Sequence, residues 1–310
     1  MTIIPHNKPM PPKELQILTS LHPRMKLSTT EKQNYENLHK GFLGELKFYD
    51  LLCNHPSTNQ ITLFDLLLES NNTEFQIDSL IINQNTIFSL EIKNFEGDFY
   101  LEGDKWYVVG SGKEIRSPLL QLQRTEYLFK QILQKLHVNM TIKPYIIFIN
   151  DDFTLYQAPI ALPAIFPTQV KRFINKLNAN SRKLTAHHTK LAKKLISMHL
   201  EESAHSRLPS YEYHQLQKGI TCRTCSEFLS PINKIKLKCQ GCGYEEAVDY
   251  GVMRSVAEFN LLFPNKKITT SQIHEWCVVI SSKRRIREIL LRHMTLIRNG
   301  RYSYYVFKKI

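Results

Sequence analysis

Long apolar runs are missing from this 310-residue sequence. None approaches the roughly 18 residues of a membrane span, and the opening MTIIPHNKPMPPKELQ lacks the apolar block of roughly 7 to 15 residues that a secretory leader carries. The expectation is a cytoplasmic chain with no membrane segment. Cysteine is scarce too. Four of the six cysteines form two Cys-x-x-Cys pairs, a metal-site spacing rather than a disulfide framework, and one that fits a reducing compartment. GSGK at 110–113 does not complete a phosphate-binding loop, so nucleotide hydrolysis is not expected. Internal repeats and low-complexity tracts are absent.

What the sequence does contain is enough apolar material for packed cores: 42% hydrophobic residues in 36.3 kDa, room for two or three domains. The formal charge of +13 is unevenly spread. Residues 1–155 hold 15 Lys/Arg and 18 Asp/Glu, whereas residues 156–310 hold 26 and 10. The basic half calls for a polyanionic partner, and nucleic acid, above all DNA, fits best. A membrane surface fits poorly, because no long amphipathic segment carries Trp and Phe on one face. Nothing in the sequence sets the oligomeric state.

Five regions are expected. Residues 1–30, rich in proline, read as an irregular lead-in. Residues 31–155 read as an α/β domain with a mixed sheet and flanking helices. Its first helix starts at a Thr30/Gln33 capping box and carries Leu38, Phe42, Glu45, Tyr49 and Leu52 on one face. Strands follow near 61–68, 74–82 and 86–95, then a helix from Pro118 to about 136 and a strand at 145–149. Residues 156–218 read as a basic helical linker or small helical subdomain, with helical segments at 168–177 and 184–202, residues 219–250 as a cysteine module, and residues 251–310 as a separate basic tail.

Charges interrupt the strands of the α/β domain at FQIDSLIINQNTIFSLEIKNF, residues 75–95. Side chains alternate along a strand, so Glu91 and Lys93 share a face. A hairpin loop of two or four residues around Gln84 and Asn85 sets Asp78 across from Glu91, with Cβ atoms about 4.5 to 5.5 Å apart; a three-residue loop does not. Two carboxylates so placed need a shared proton, a basic partner or a divalent cation. The pair suits Mg²⁺ (or Mn²⁺), with Lys93 about 7 Å from Glu91 at the edge of the site. The plainer alternative is a Lys93–Glu91 ion pair on a solvated face with Asp78 exposed.

GFLGELKFYDLL, FQIDSLII, LEIKNFEGDF and SPLLQLQRTEYL occur in that order within roughly residues 38–150. Together they resemble the nuclease-related domain (NERD) branch of the PD-(D/E)XK nuclease superfamily. The resemblance implies a restriction-endonuclease-like fold, with Asp78 and Glu91 as metal ligands and Lys93 orienting or activating water. It also implies that Glu45 supports metal or water and that Gln121 holds a ligand or the phosphate. Gln123, four residues before Tyr127, competes with Gln121 for that role. Ile77 stands where the superfamily signature has proline. The implied reaction is metal-assisted hydrolysis of a phosphodiester, leaving 5′-phosphate and 3′-hydroxyl ends.

CRTCSEFLSPINKIKLKCQGC puts thirteen residues between two Cys-x-x-Cys pairs and resembles a zinc ribbon, with structural Zn²⁺ held by Cys222, Cys225, Cys239 and Cys242. From 265 to 310 there are eleven Lys/Arg against two Glu, patterned as helix, turn, helix and a hairpin at Asn299-Gly300. That order resembles a helix-turn-helix with a wing. Lys283, Arg284 and Arg287 then stand where such helices read DNA, and Arg301 and Tyr302 lie at the hairpin. His293 is expected in the core of this tail, and His187 and His188 on the surface. The whole reads as a Mg²⁺-dependent deoxyribonuclease brought to DNA by its C-terminal modules; the alternative is an inert nuclease fold serving as an architectural or regulatory DNA-binding protein.

Overall fold

Residues 8–55, 59–179, 183–200 and 207–308 are described by the computed structural model. Among the described residues the first regular element is α1 (Lys13–Leu21), inside the stretch expected to be irregular. Pro9, Pro11 and Pro12 precede this helix instead of breaking it, with Pro12 at the N-cap, and Leu15, Ile17, Leu18 and Leu21 are buried along it. Helix α2 (Thr29–Cys53) starts one residue before Thr30, because the reciprocal cap is Ser28 with Glu31. Glu31 accepts from the Ser28 N–H at 2.7 Å and Ser28 Oγ from the Glu31 N–H at 3.3 Å. Residues 1–7 of the expected lead-in and 201–202 of the second basic helix lie outside the described residues.

The chain continues as β1 (Ile61–Ser70), β2 (Thr73–Ile82), β3 (Thr86–Lys93), β4 (Gly97–Glu102), β5 (Lys105–Val108) and β6 (Glu114–Ile115), then α3 (Pro118–Lys135). After it come β7 (Thr141–Phe148), β8 (Phe153–Tyr156), β9 (Ala164–Ile165), α4 (Val170–Ala179) and α5 (Ala186–Ser197). The remainder holds β10 (Leu229–Pro231), β11 (Lys236–Cys239), β12 (Glu245–Ala247), α6 (Val248–Leu262), α7 (Thr270–Cys277), α8 (Lys283–His293), β13 (Met294–Ile297) and β14 (Tyr304–Phe307). None of the described helices is long and apolar enough to cross a membrane. Two compact units result, one from 8–11 and 36–200, the other from 12–35 and 207–308.

The first unit is built on a five-stranded mixed sheet, order β1-β2-β3-β7-β9. Strands β1 to β3 pair antiparallel, while β3, β7 and β9 pair parallel, α3 lying in the connection from β3 to β7. One face packs on α3 and α5 through Leu128, Phe129, Ile132, Leu191 and Leu195; the other packs on α2 and α4 through Phe48, Leu52, Phe173 and Ile174. A second sheet, β6-β5-β4-β8, buries Phe99, Trp106 and Phe153 with Phe148 of β7. The unit therefore runs past the boundary expected at 155. Helices α4 and α5 are not a free linker, since each buries apolar side chains worth about 1.5 to 3 kcal/mol apiece.

The second unit joins α1 to the cysteine module and the tail around one core. Ile17 and Leu21 share it with Cys222, Leu237, Val252, Phe259, Trp276, Ile289 and Tyr305. The division expected at 250/251 thus falls inside α6. Arg24 fastens the N-terminal segment in place: its guanidinium meets Glu258 at 2.6 and 3.0 Å, the carbonyls of Gln217 and Gly219 at 2.7 and 2.9 Å, and lies 4.2 Å over the Trp276 ring.

Candidate active site

The β2–β3 turn has four residues between the paired Ile82 and Ile87, tightened by Asn83 N–H donating to Thr86 O at 2.9 Å. That register carries Asp78 to the position opposite Glu91. The paired ladder stops one step earlier, at Ser79 and Leu90, and β3 continues from Glu91 to Lys93 against β7 alone. Asp78 takes over at the fork: its Oδ2 accepts the Ile92 N–H at 2.7 Å, replacing a ladder bond with a side-chain bond.

Glu91 and Lys93 face α3, as strand alternation requires. Lys93 Nζ donates to Glu91 Oε1 at 2.7 Å and to Gln121 Oε1 at 3.0 Å, and Gln121 Nε2 donates to the same Glu91 oxygen. Gln123 is exposed, as is Tyr127, so Gln121 is the glutamine that reaches the cluster. Glu91 is only 3% exposed, which rules out the solvated-face alternative. Glu91 Oε2 and Asp78 Oδ1 take no hydrogen bond from the described residues, so each carboxylate keeps one oxygen free for a ligand.

Glu45 approaches from α2. The helix lies close against the ends of β3 and β7 because position 44 is glycine; a Cβ there would sit 2.7 Å from Asn94 Cβ and 3.2 Å from Ile149 Cγ2. Asn94, directly after Lys93, donates from Nδ2 to Lys40 O at 2.7 Å and pins the same helix. Neither Gly44 nor Asn94 was singled out from the sequence, although both flank expected site residues.

Asp65 was also missed. The β1–β2 register places it opposite Asp78, although neither of the two is paired across the ladder. Here both strands change phase together: Ile61 and Leu63 share a core with Leu66 and Leu68, and Phe75 and Ile77 share it with Leu80 and Ile82. Asp65 takes up the shift with φ at 51° and accepts Gln76 Nε2 at 2.8 Å. Its signal in the sequence was a lone acid inside ITLFDLLL.

Electrostatics bind these acids into one cluster. Burial, then Asp65 and Glu91, push the Glu45 carboxyl up to about 8, against the pull of Lys93. Burial, then Glu91 and Glu45, hold Asp78 well above the ordinary carboxylate range, opposed by Lys93 and the Ile92 N–H. Burial raises Asp65 as well, offset by His199 and Gln76. The structure thus brings Glu45, Asp78, Glu91, Lys93 and Gln121 together. Buried and half-buried carboxylates with free oxygens are a hard-ligand set of the kind that takes Mg²⁺ or Mn²⁺, and a divalent cation offsets the mutual repulsion.

The cysteine centre is more tightly gathered. Cys222 and Cys242 Sγ lie 3.6 Å apart, Cys225 and Cys239 Sγ 3.4 Å apart. Tetrahedral coordination at about 2.3 Å sets sulfurs about 3.8 Å apart, so the four thiols fit one metal ion. Among the described residues they are the one group of three or more candidate ligands whose atoms all lie within 4.8 Å; Glu45, Asp78 and Glu91 are not drawn that close. The cysteines sit beside a small antiparallel sheet, β10-β11-β12.

In the tail, α7 and α8 pack on α6, and β13 pairs with β14. Ile286, Ile289 and Leu290 are fully buried, whereas His293, expected in the core, is exposed beside Asp249 at 3.9 Å. Lys283, Arg284, Arg287, Arg301 and Tyr302 are all exposed. His188, expected on the surface, is buried, and its Nε2 meets Gln84 O at 2.7 Å.

Residues 40–149 match the nuclease-related domain (NERD) family model. No curated protein matches the chain. Two solved structures are similar in part. The small subunit of the heterodimeric restriction endonuclease R.BspD6I is 13% identical, with 58% of this chain and 86% of that chain covered at a TM-score of 0.23. The protein of unknown function AF1548 is 11% identical, with 82% and 95% covered at a TM-score of 0.23. At those TM-scores neither likeness says anything about this chain's activity.

Proposed function

We propose that the chain is a Mg²⁺-dependent nuclease that hydrolyses phosphodiester bonds in DNA and reaches its substrate through the second unit. The observation that carries this reading is the cluster at the β2–β3 fork, supported by the NERD match over the same residues. Asp78 and Glu91 would hold the cation through their free oxygens. When bound, the ion lowers the pKa of a coordinated water and neutralises charge on the phosphate. Lys93, fixed by Glu91 and Gln121, holds a positive charge at the cluster where an attacking water or a phosphate oxygen is oriented. Glu45, whose carboxyl is pushed up to about 8, is suited to exchange a proton with that water. Gln121 keeps Lys93 and Glu91 in register from α3.

In the second unit, the four cysteines would carry structural Zn²⁺ in a ribbon. Helices α7 and α8 with the β13–β14 hairpin would form a winged-helix-like DNA contact through Lys283, Arg284, Arg287, Arg301 and Tyr302. One observation favours a second reading: Lys93 and Gln121 already satisfy Glu91 Oε1, and the three acids are not drawn within ligand distance of one another. A nuclease fold retained only for DNA binding is consistent with that.

The deciding experiment incubates wild type and Glu91→Ala with single-stranded, duplex and branched DNA in Mg²⁺ or Mn²⁺. The nuclease reading expects metal-dependent cleavage by wild type, loss of it in the variant and unchanged affinity. Failure of wild type to cut any substrate, with binding retained, leaves the second reading.

A further inference from the structure

Between Asp152 and Glu201 the sequence carries eight Lys/Arg and no Asp or Glu, inside a unit whose residues 36–152 hold ten Lys/Arg and sixteen Asp/Glu. Helix α5 concentrates part of this charge. Leu191, Ala192 and Leu195 bury one face, and Lys190, Lys193 and Lys194 are exposed on the other. Lys190 stands three and four residues from the other two, a like-charge spacing that by itself destabilises a helix.

Elsewhere in the same unit, four exposed lysines are neutralised. Lys40 pairs with Glu96, Lys47 with Asp151, Lys105 with Glu114 and Lys130 with Glu126. Among the described residues no acid pairs with Lys190, Lys193 or Lys194. Three uncompensated cations on one face suit an anionic partner; α4 exposes Lys171, Arg172 and Lys176 in the same way, so it is the position of α5 that sets it apart.

The position of α5 identifies that partner. Helix α5 packs beside β1; its N-terminal end is held at the β2–β3 turn by His188 on Gln84, and the residues after it return to β1, where Leu200 N–H donates to Leu67 O at 2.9 Å. Leu67 is two residues from Asp65, the acid that lies opposite Asp78 and raises Glu45. The residues after α5 are therefore anchored two positions along β1 from an acid of the cluster, and a pocket of carboxylates repels polyphosphate. An acidic site that acts on a polyanion needs fixed positive charge along the approach.

We infer that Lys190, Lys193 and Lys194 form a phosphate track on the first unit, contacting the sugar-phosphate backbone of the nucleic acid next to the carboxylate cluster. The track is separate from the exposed basic residues of the second unit and reads no base sequence. It rests on the nuclease reading only in taking nucleic acid as the partner.

The test measures binding of the full chain to a fluorescent DNA duplex and to an RNA duplex in EDTA, across a salt series. Wild type is compared with Lys190→Gln/Lys193→Gln/Lys194→Gln and with a charge-matched Lys171→Gln/Arg172→Gln/Lys176→Gln control on α4. Each phosphate contact adds about 0.9 to the slope of log K against log salt. The α5 triple variant is expected to lose about 2 to 3 from that slope and about tenfold or more in affinity near 0.1 M salt, with far-UV circular dichroism unchanged. The α4 control should lose clearly less. Equal losses in both variants, or an unchanged slope in the α5 variant, overturn the track. Cleavage is scored separately. Loss of slope in a protein that never cuts upholds the track and removes the nuclease reading; cleavage with an unchanged slope does the reverse.

Discussion

Replacing Glu45 by Gln should make the first unit less sensitive to rising pH. Glu45 titrates near 8 in the folded protein, against 4.5 for the free side chain. A raised carboxyl means that the folded state holds the proton more tightly than the unfolded one. Its contribution to stability is therefore full below about pH 4.5 and is lost as pH rises through 8. The 3.5-unit difference corresponds to about 5 kcal/mol at 1.36 kcal/mol per unit. Solvent reaches the half-buried side chain, so about half of that is a sounder expectation. The assay is urea unfolding between pH 5 and 9 in EDTA. Of the chain's two tryptophans, Trp106 reports the first unit once Trp276 is replaced by Phe. Wild type should lose about 2 to 3 kcal/mol more than Glu45→Gln across that range, and Mg²⁺ should recover part of the loss at pH 8 to 9. Parallel pH profiles for the two proteins would show that Glu45 does not sit among repelling carboxylates.

Three other outcomes follow from the geometry. Gly44→Ala places a methyl 2.7 Å from Asn94 Cβ, so α2 must shift; the cost should be about 1 to 3 kcal/mol, with cleavage falling at least tenfold, and an unchanged melting point and rate would contradict the close approach. Arg24→Ala leaves Glu258 buried without its partner and should destabilise the second unit by about 3 to 5 kcal/mol, read from Trp276 fluorescence in urea; a loss under about 1 kcal/mol would mean that the pair contributes little. Cys239→Ser should abolish a stoichiometric zinc content by elemental analysis and unfold β10 to β12, whereas purified wild type without bound metal would defeat the assignment.

How much of this was legible depended on whether the signal was local. The four cysteines could be read from spacing alone, whereas the Asp78–Glu91 register depended on a loop length that the sequence left open between two, three and four residues. The cap of α2 was misplaced by two residues because SxxE and TxxQ overlap in STTEKQ, and the carboxylate cap of Glu31 prevailed. Asp65 escaped because period-2 reading assumes an unbroken strand, whereas β1 and β2 shift phase together beside it. The role of the N-terminal segment was invisible for another reason. Arg24 finds Glu258 from 234 residues away, and no window of sequence contains both. His188 was misjudged because the carbonyl it bonds belongs to the β2–β3 turn, 104 residues earlier.

The central claim is that Asp78 and Glu91 together hold one divalent cation at the strand fork. Manganese binding followed by electron paramagnetic resonance, in zinc-loaded wild type, Asp78→Asn and Glu91→Gln, addresses it directly. The account predicts one Mn²⁺ site in wild type, displaced by Mg²⁺ and weakened at least tenfold in either variant. Wild-type protein that binds no Mn²⁺, or binds it equally well in all three proteins, would contradict it.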